Sequence, residues 1–513
     1  MVRWALISAL LAVVALAVVG EVVVRRATPI LKGRVISSLS ARFDSKVELD
    51  RLDVSLVKGL EVSGEGLRIY APDDMVAAGA VRPLIAVKGF EFHANLRGLF
   101  LKPMHTGTVY LTGLEIHIPP REVRHAAGVK QVHGGGKIKI VVDHFLCEDS
   151  ELVVDNGNPE KEPKRFALQR IELWEIGPDA PWKYEATLVN AIPKGDIHAT
   201  GTFGPWVTEG PGDSTITGHY TFDHADLYPI KGIGGTLSSV GDFEGQLNRI
   251  AVAGTTQTPN FSLDSANMPM PLTTAFKAVV DGTTGDTYLT QVQARLRNTA
   301  IECTGSVVNL KGKGHVVDLD VDIPNGHLED LLGLAVKTRP VYLTAGISTR
   351  AKLHVRPGKE SVMQKISIRG GFTLRDIHFT NQAVQDKVDG LSMRAQGRPA
   401  EAKGAPEVAS EMMGNFNLAG GKIRFDKLNY TLPGGAVALT GVYSLNGEQF
   451  DFHGTVRTDA QVSQMVSGWW KQMLLKPVDR FFRKDGAGTQ VPVRIQGTKD
   501  EPKFGLDFGH KDK

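Results

Sequence analysis

Two groups of side chains in the sequence have the residue types that could bind a metal ion. The histidines nearest to a cluster are His117, His125, His133 and His144, and three aspartates alternate within 316-VVDLDVDIP-324. The histidines lack the Cys/His spacing of a zinc site. The aspartates lack the turn glycine and terminal glutamate of a calcium loop, and they alternate with Leu319 and Val321. We therefore expect surface histidines, a solvated strand face and no metal site.

Motifs for catalysis are missing from the sequence. It has no G-x-S-x-G elbow, P-loop, H-E-x-x-H or C-x-x-C, and 134-GGG-136 is typical of a loop. Cys147 and Cys303 favour two isolated buried thiols, with a disulfide in an oxidising compartment as the alternative. The net charge of +3 does not indicate nucleic-acid binding. The sequence thus predicts no enzyme, no catalytic or cofactor-binding residues and no cofactor.

The amino terminus predicts a membrane anchor over residues 1–26. From Trp4 to Val24 about 21 residues carry only one charge, Glu21, and could cross a hydrocarbon core of ~30 Å. A cleavable signal peptide is the alternative, since Ala15 and Ala17 form an A-x-A pattern, but the apolar run continues past it. The basic residues after the run leave the orientation ambiguous by the positive-inside rule.

Helical periodicity occurs in two further segments. Residues 27–45 predict an amphipathic juxtamembrane helix, or else a helix that caps the following sheet. Residues 458–485 predict a second amphipathic helix, in which Trp470, Phe481 and Phe482 lie among lysines and arginines. This helix suits either a membrane interface or packing over the end of a sheet.

Most of the remaining chain alternates apolar and polar residues with a period of two, which is typical of strands. We predict one continuous β body over residues 46–457, with strands at 486–513 that close it, and a short helix in 324–334. Roughly 25 to 35 strands of average length would result. Open twisted sheets rarely exceed about ten strands. The predicted fold class is therefore mainly β: an N-terminal transmembrane helix, then one long, curled, mostly antiparallel sheet forming an open groove, with few short helices.

One sequence motif occurs twice, in 251-AVAGTTQTPNFSLDS-265 and 494-RIQGTKDEPKFGLDF-508. Gly-Thr interrupts an alternating run, and a proline opens the next one. We predict that both copies are the same crossover between strands, which returns Phe261 and Phe504 to the apolar face. The motif would then be the element by which the groove is lengthened.

The order of these features resembles the AsmA-like family of bacterial envelope proteins. The anchor is followed by 34-RVISSLSARFDSKVELDRLDVSLVKGLEVSGEGLRI-69 and 107-GTVYLTGLEIHIPP-120, and segments 276–296 and 486–508 resemble the middle and the end of such chains. The resemblance implies an elongated repeating β-groove in the periplasm, single-pass anchorage in the inner membrane, phospholipid transport and a role in outer-membrane homeostasis. It implies no catalytic residues.

Apolar side chains at alternate positions would line such a groove. The expected lining residues are Leu114, Ile116, Ile118, Leu319, Val321, Ile366, Ile368, Val437, Leu439, Phe261 and Phe504. Phospholipid acyl chains would move along them between the inner and outer membranes. The expected partners are phospholipids, the inner membrane and other envelope proteins. The alternative is an anchored scaffold that assists outer-membrane protein assembly through exposed sheet edges.

Overall fold

The computed structural model describes residues 29–41, 45–55, 60–77, 79, 82–94, 104–119, 140–155, 163–177, 179–205, 207, 211–264, 266, 268–310, 313–337, 339–358, 360–445, 449–467, 488–498 and 501–506. Within this part of the chain, no helix has the length and apolar character needed to cross a membrane. The predicted anchor, residues 1–26, lies outside the described residues.

Strands make up 64% of the described residues, and helices are few among them. The predicted mainly β class is therefore confirmed. In chain order the first strands are β1 Val47–Glu48, β2 Arg51–Ser55, β3 Leu60–Ile69, β4 Ile85–Ala94, β5 Met104–His105, β6 Thr108–Ile118, β7 Ile140–Val154, β8 Lys164–Ile176, β9 Trp182–Asn190, β10 Lys194–Phe203, β11 Thr215–Asp226, β12 Ile233–Gly234 and β13 Thr236–Gln246. They are followed by β14 Arg249–Leu263, β15 Met270–Val280, β16 Thr287–Leu296, β17 Thr299–Leu310, β18 Gly314–His327, β19 Leu343–Val355, β20 Ile366–Phe379, β21 Glu411–Ala419, β22 Lys422–Leu432, β23 Gly435–Ser444, β24 Gln449–Thr458, β25 Thr489–Thr498 and β26 Pro502–Leu506.

The helices of the described residues are short. Residues 29–41 form helix α1 within the predicted amphipathic segment. The others are α2 Asp73–Ala77, α3 Leu328–Ala335, α4 Val362–Lys365 and α5 Gln382–Ala395, with single 3₁₀ turns at Pro211–Asp213, Pro399–Glu401 and Val462–Met465. The helix predicted in 324–334 is confirmed as α3, although β18 first continues through Pro324. Of the predicted helix at 458–485, the described beginning is a 3₁₀ turn and residues 468–485 lie outside the described part.

The chain divides into two compact units. Unit 1 comprises Met1–Pro229, Leu237–Gly254 and Asp281–Thr283, and unit 2 comprises Ile230–Thr236, Thr255–Val280 and Thr284–Lys513.

The strand pairs are mostly antiparallel, as predicted. In unit 1 the described pairs join β1 and β2 to β3, then β3 to β4, β4 to β6, and β7 through β11 in order. The exceptions are β6 and β5, which both pair with β7 in parallel. In unit 2 the strands from β15 to β26 each pair with the next in the chain, which makes a long antiparallel meander.

Within each unit the sheet is open and uncurled, and this corrects the predicted curl. The curl was inferred because a single open sheet of 25 to 35 strands would exceed the usual limit. The division into two units weakens that argument, because each unit carries only part of the 26 strands. Side chains in the sheet interior are half-buried by their neighbours on adjacent strands.

The repeated motif adopts two different structures, so the prediction of one shared crossover is wrong. The first copy is a single continuous strand, since β14 runs through Gly254 and Pro259 without a turn. The second copy is a hairpin in which Gly497, at φ 114°, lies opposite Pro502. The residues between glycine and proline differ: Thr256-Gln257-Thr258 favours a strand, whereas the second copy has Lys-Asp-Glu, which disfavours one.

A compact core lies at the helical end of unit 2. Ala345, Ile347, Leu374 and Ile377 are buried there, and Leu328 and Leu331 of α3 pack against them. Helix α5 was not predicted, because the side it buries is polar. Its first turn is capped by Asn381, whose side chain accepts hydrogen bonds from the backbone of Ala383 and Val384.

Candidate apolar binding face

In unit 2, side chains of neighbouring strands line up in rows on one face of the sheet. Residues that pair in register point to the same side. The central row contains Phe276, Val292, Cys303, Val321, Ala351, Gly370, Phe416, Phe425, Gly441, Phe452 and Ile495. The row beside it contains Ala278, Leu289, Gly305, Leu319, Leu353, Ile368, Leu418, Ile423, Tyr443, Phe450 and Gly497. Neither row contains Asp, Glu, Lys, Arg or His. We call this surface the apolar face of unit 2.

Most of the predicted lining residues belong to this face. Leu319 and Val321 lie in the two rows, and so does Ile368, opposite Leu353. Further members of the same face are Ile366, opposite Val355; Leu439, opposite Leu428; and Val437, opposite Tyr430. The backbone of Phe504 pairs with Ile495 in the central row. All the others are half-buried, neither hidden in a closed core nor fully exposed.

The remaining predicted residues lie elsewhere. Leu114, Ile116 and Ile118 are half-buried on β6 of unit 1. Ile116 lies between the apolar partners Ile85 and Leu152, and Leu114 lies opposite Val87. Phe261 is half-buried near the end of β14, at a point where the strict exposed-and-buried alternation of that strand ends.

Unit 1 has an apolar face of its own. One of its rows contains Phe90, Leu111, Cys147, Ile171, Ala186, Ala199 and Tyr220. The next contains Val62, Phe92, Val109, Phe145, Leu173, Tyr184, Gly201 and Gly218. Again, no charged residue occurs in either row.

The opposite face of unit 2 is charged. Across β18 and β19, Asp318 pairs with His354 at 2.6 Å, Asp320 with Lys352 at 2.9 Å and Asp322 with Arg350 at 2.8 Å. The aspartates are therefore a cross-strand ladder of ion pairs, which confirms the prediction of a polar strand face. Exposed pairs of this kind contribute little stability each. These polar pairs do keep that face of unit 2 hydrated. The apolar face is therefore the unusual surface of the unit.

The pKa values of ionisable side chains on the two apolar faces are shifted because these faces have low polarity. Burial raises the pKa of the Tyr184 phenol to about 12 and raises the pKa of the Cys147 and Cys303 thiols. Both cysteines are free. All three side chains are therefore neutral at physiological pH.

Five phenylalanines form a continuous group that the sequence analysis missed. They are Phe372, Phe416, Phe425, Phe450 and Phe452, and their ring centroids lie 6.0–6.4 Å from the nearest neighbour along the group. Each ring is one of only a few aromatic residues in its own strand, so no strand shows the group by itself. Glycines lie opposite most of these rings and could have indicated the group. Which glycine faces which ring depends on the register between strands, however, and the sequence alone does not give that register.

Histidines in the described residues mainly pair with carboxylates. The buried His117 contacts Glu115 at 2.6 Å, and His144 contacts Glu172 at 2.9 Å; His125 and His133 lie outside the described part. Burial alone would raise the pKa of Glu172, but hydrogen bonds from Arg170 and His144 hold that pKa below its ordinary value.

One group has metal-ligand chemistry. The carboxylates of Glu61 and Glu91 and the ring of His93 offer ligand atoms within 4.8 Å of one another on unit 1. All three side chains are accessible to water, and Glu91 and His93 already contact each other at 2.9 Å. The group lacks a buried, preorganised ligand set, which a site with useful affinity requires.

The chain was compared with protein-family models, with curated proteins and with solved structures, and none of these comparisons found a match.

Proposed function

We propose that the protein binds the acyl chains of phospholipids on its apolar faces and carries them between the inner and outer membranes. It would act from the periplasm as a member of the AsmA-like group, anchored in the inner membrane by residues 1–26. The observation that carries this proposal is the pair of uncharged rows on unit 2, which cross successive strands from β15 to β25 without an ionised side chain.

The length of these rows suits a hydrocarbon chain. Eleven strands spaced ~4.8 Å apart extend for about 50 Å, longer than a single acyl chain needs. Hydrophobic transfer is non-directional and roughly proportional to area. A chain could therefore shift along the rows with little change in free energy, which is what transport along a surface requires.

The polar side gives the lipid headgroup and water a separate surface. The ladder formed by Asp318, Asp320 and Asp322 with His354, Lys352 and Arg350 occupies the face opposite the rows. No polar group on the rows is charged, so no side chain there would bind a headgroup. The substrate class is thus defined by its hydrocarbon part.

Mass spectrometry of lipid that co-purifies with the full chain tests this function. We expect phospholipid with the wild-type protein and more than about tenfold less with Ile368→Glu, since burying an unpaired carboxylate against a chain costs several kcal/mol. Ser367→Glu is the matched control, because Ser367 is the neighbouring residue on the other face of β20.

Two results would contradict the proposal. One is wild-type protein that co-purifies without phospholipid, and the other is an equal amount of phospholipid on both variants. Capture of a β-barrel client that is unaffected by Ile368→Glu would instead favour the assembly scaffold.

A further inference from the structure

The phenylalanines on the apolar face of unit 2 lie opposite glycines on neighbouring strands. The in-register pairs are Gly370 with Phe416, Phe372 with Gly414, Phe425 with Gly441, Gly441 with Phe452, and Phe450 with Gly497. Each ring therefore has a position without a side chain beside it.

The rings use the space that the glycines leave. A Cβ atom added to Gly441 would lie 2.5 Å from Cδ1 of Phe452, and one added to Gly414 would lie 3.2 Å from Cε1 of Phe372. The rings of Phe452 and Phe372 thus lean across the neighbouring strand instead of standing upright from the sheet. An aromatic ring that covers the backbone of a neighbouring glycine fills the sheet surface without adding height to it.

The result is a low floor of rings from β20 to β24. Phe372 contacts Phe416 and Phe425, Phe425 contacts Phe452, and Phe452 contacts Phe450. Between β16 and β19 the same rows carry small or aliphatic side chains, such as Val292, Val321 and Leu353. We call the five phenylalanines the ring floor.

We propose that the ring floor is the subsite where a linear hydrocarbon chain is held, and that the rest of the rows is a surface along which the chain passes. This inference rests on the proposed function and specifies where on the apolar face the chain is held. Aromatic rings present a large apolar area with few rotatable bonds, so a chain lying on them orders little of the protein. In the aliphatic part of the rows, small side chains such as Ala351 and Val321 offer less apolar area per residue.

A protein segment fits this place less well than a lipid chain. The strands β20 to β24 are each paired on both sides, so an added strand has no free backbone edge there. The two rows also offer no charge that would orient a peptide. An uncharged chain needs neither feature.

Photo-crosslinking in the full chain tests the location. Benzoylphenylalanine would replace Phe452 on the ring floor, Val321 on the aliphatic part, or Thr440 on the exposed opposite face of β23, each mixed with phosphatidylethanolamine–phosphatidylglycerol vesicles. We expect lipid adducts at Phe452 to exceed those at Val321 several-fold, with none at Thr440. Equal or greater yield at Val321 would overturn the inference while leaving the proposed function intact. Absence of adduct at both apolar positions would contradict the function itself.

A variant tests whether the rings hold the chain. The combined change Phe416→Leu, Phe425→Leu and Phe452→Leu keeps the face apolar but removes the rings, and should lower bound phospholipid about tenfold. The comparison variant Val292→Ala, Val321→Ala and Leu353→Ala removes apolar area from the path instead of the ring floor, and should lower bound phospholipid by a clearly smaller factor than the ring variant. Equal losses in both variants would refute a ring-specific subsite. The crosslinking result decides the matter if either triple variant fails to fold.

Discussion

Tyr184 shows at the level of one side chain how apolar the face of unit 1 is. Its ring lies in a row between Leu173 and Gly201, and its hydroxyl donates a hydrogen bond to the carbonyl oxygen of Thr217 at 3.3 Å. Burial is the cause of its high pKa, because the phenolate would lose its hydration on the apolar face.

The pKa of Tyr184 predicts a loss of stability in alkali. Below pH 10 the phenol is protonated in both the folded and the unfolded chain. Between pH 10 and about 12 the unfolded chain loses this proton while the folded chain keeps it, so the free energy of unfolding falls as the pH rises. Urea unfolding across that range should show a smaller fall for Tyr184→Phe than for the wild type. An identical fall would show that Tyr184 titrates normally.

Which residues share a face was predictable wherever the alternation was strict. Leu319 and Val321 have aspartates on each side, so a period of two was enough to place them together. Their partners could not be predicted in the same way. Leu319 lies opposite Leu353, and Leu353 lies opposite Ile368. These pairings depend on the register between strands that are separated in the chain.

At the scale of elements, the two copies of the Gly-Thr-x-x-x-Pro-x-Phe motif show how local sequence competes with strand pairing. The motif was recognised correctly as part of the β structure, but similarity of spacing did not determine conformation. The strand-forming Thr256, Gln257 and Thr258 keep β14 extended. Gly497 instead adopts a positive φ that permits the hairpin between β25 and β26.

Helix α5 is the clearest element that periodicity missed. Its buried side chains include Gln385 and Asp389, whereas Val384 and Leu391 are exposed, so the usual apolar stripe does not mark its inner side. The buried polar groups are satisfied locally. Asp389 accepts hydrogen bonds from the side chain of Gln385 at 2.9 Å and from the backbone of Val408 at 3.1 Å.

Replacement of Asp389 should destabilise unit 2. Asp389→Ala would leave the Val408 N–H and the Gln385 amide without their buried acceptor, at a cost of about 2–4 kcal/mol in the free energy of unfolding. Asp386→Ala is the control, since Asp386 is exposed and accepts one hydrogen bond from Gln382 at 2.8 Å; it should change stability by less than about 0.5 kcal/mol. Chemical denaturation measures both. Similar effects would show that the buried network is not what holds α5.

At the scale of the molecule, both units have an apolar face, and the opposite face of unit 2 is polar. The sequence predicted the β class, the antiparallel pairing and the polar strand face, because all three follow from alternation and turn spacing. The division into two units could not be predicted, since β14 carries the same alternation on both sides of Gly254. The ring floor also escaped prediction, because it is assembled from single residues of different strands.

Transfer of labelled phospholipid between two vesicle populations tests the central claim most directly. The full chain is reconstituted in the donor vesicles, and transfer to acceptor vesicles is followed for the wild type, Ile368→Glu and Ser367→Glu. We predict faster transfer with the wild type and with Ser367→Glu, and a rate more than about tenfold lower with Ile368→Glu. A wild-type rate equal to that of protein-free vesicles, or an unimpaired rate for Ile368→Glu, would contradict the claim that hydrocarbon chains travel along the apolar face.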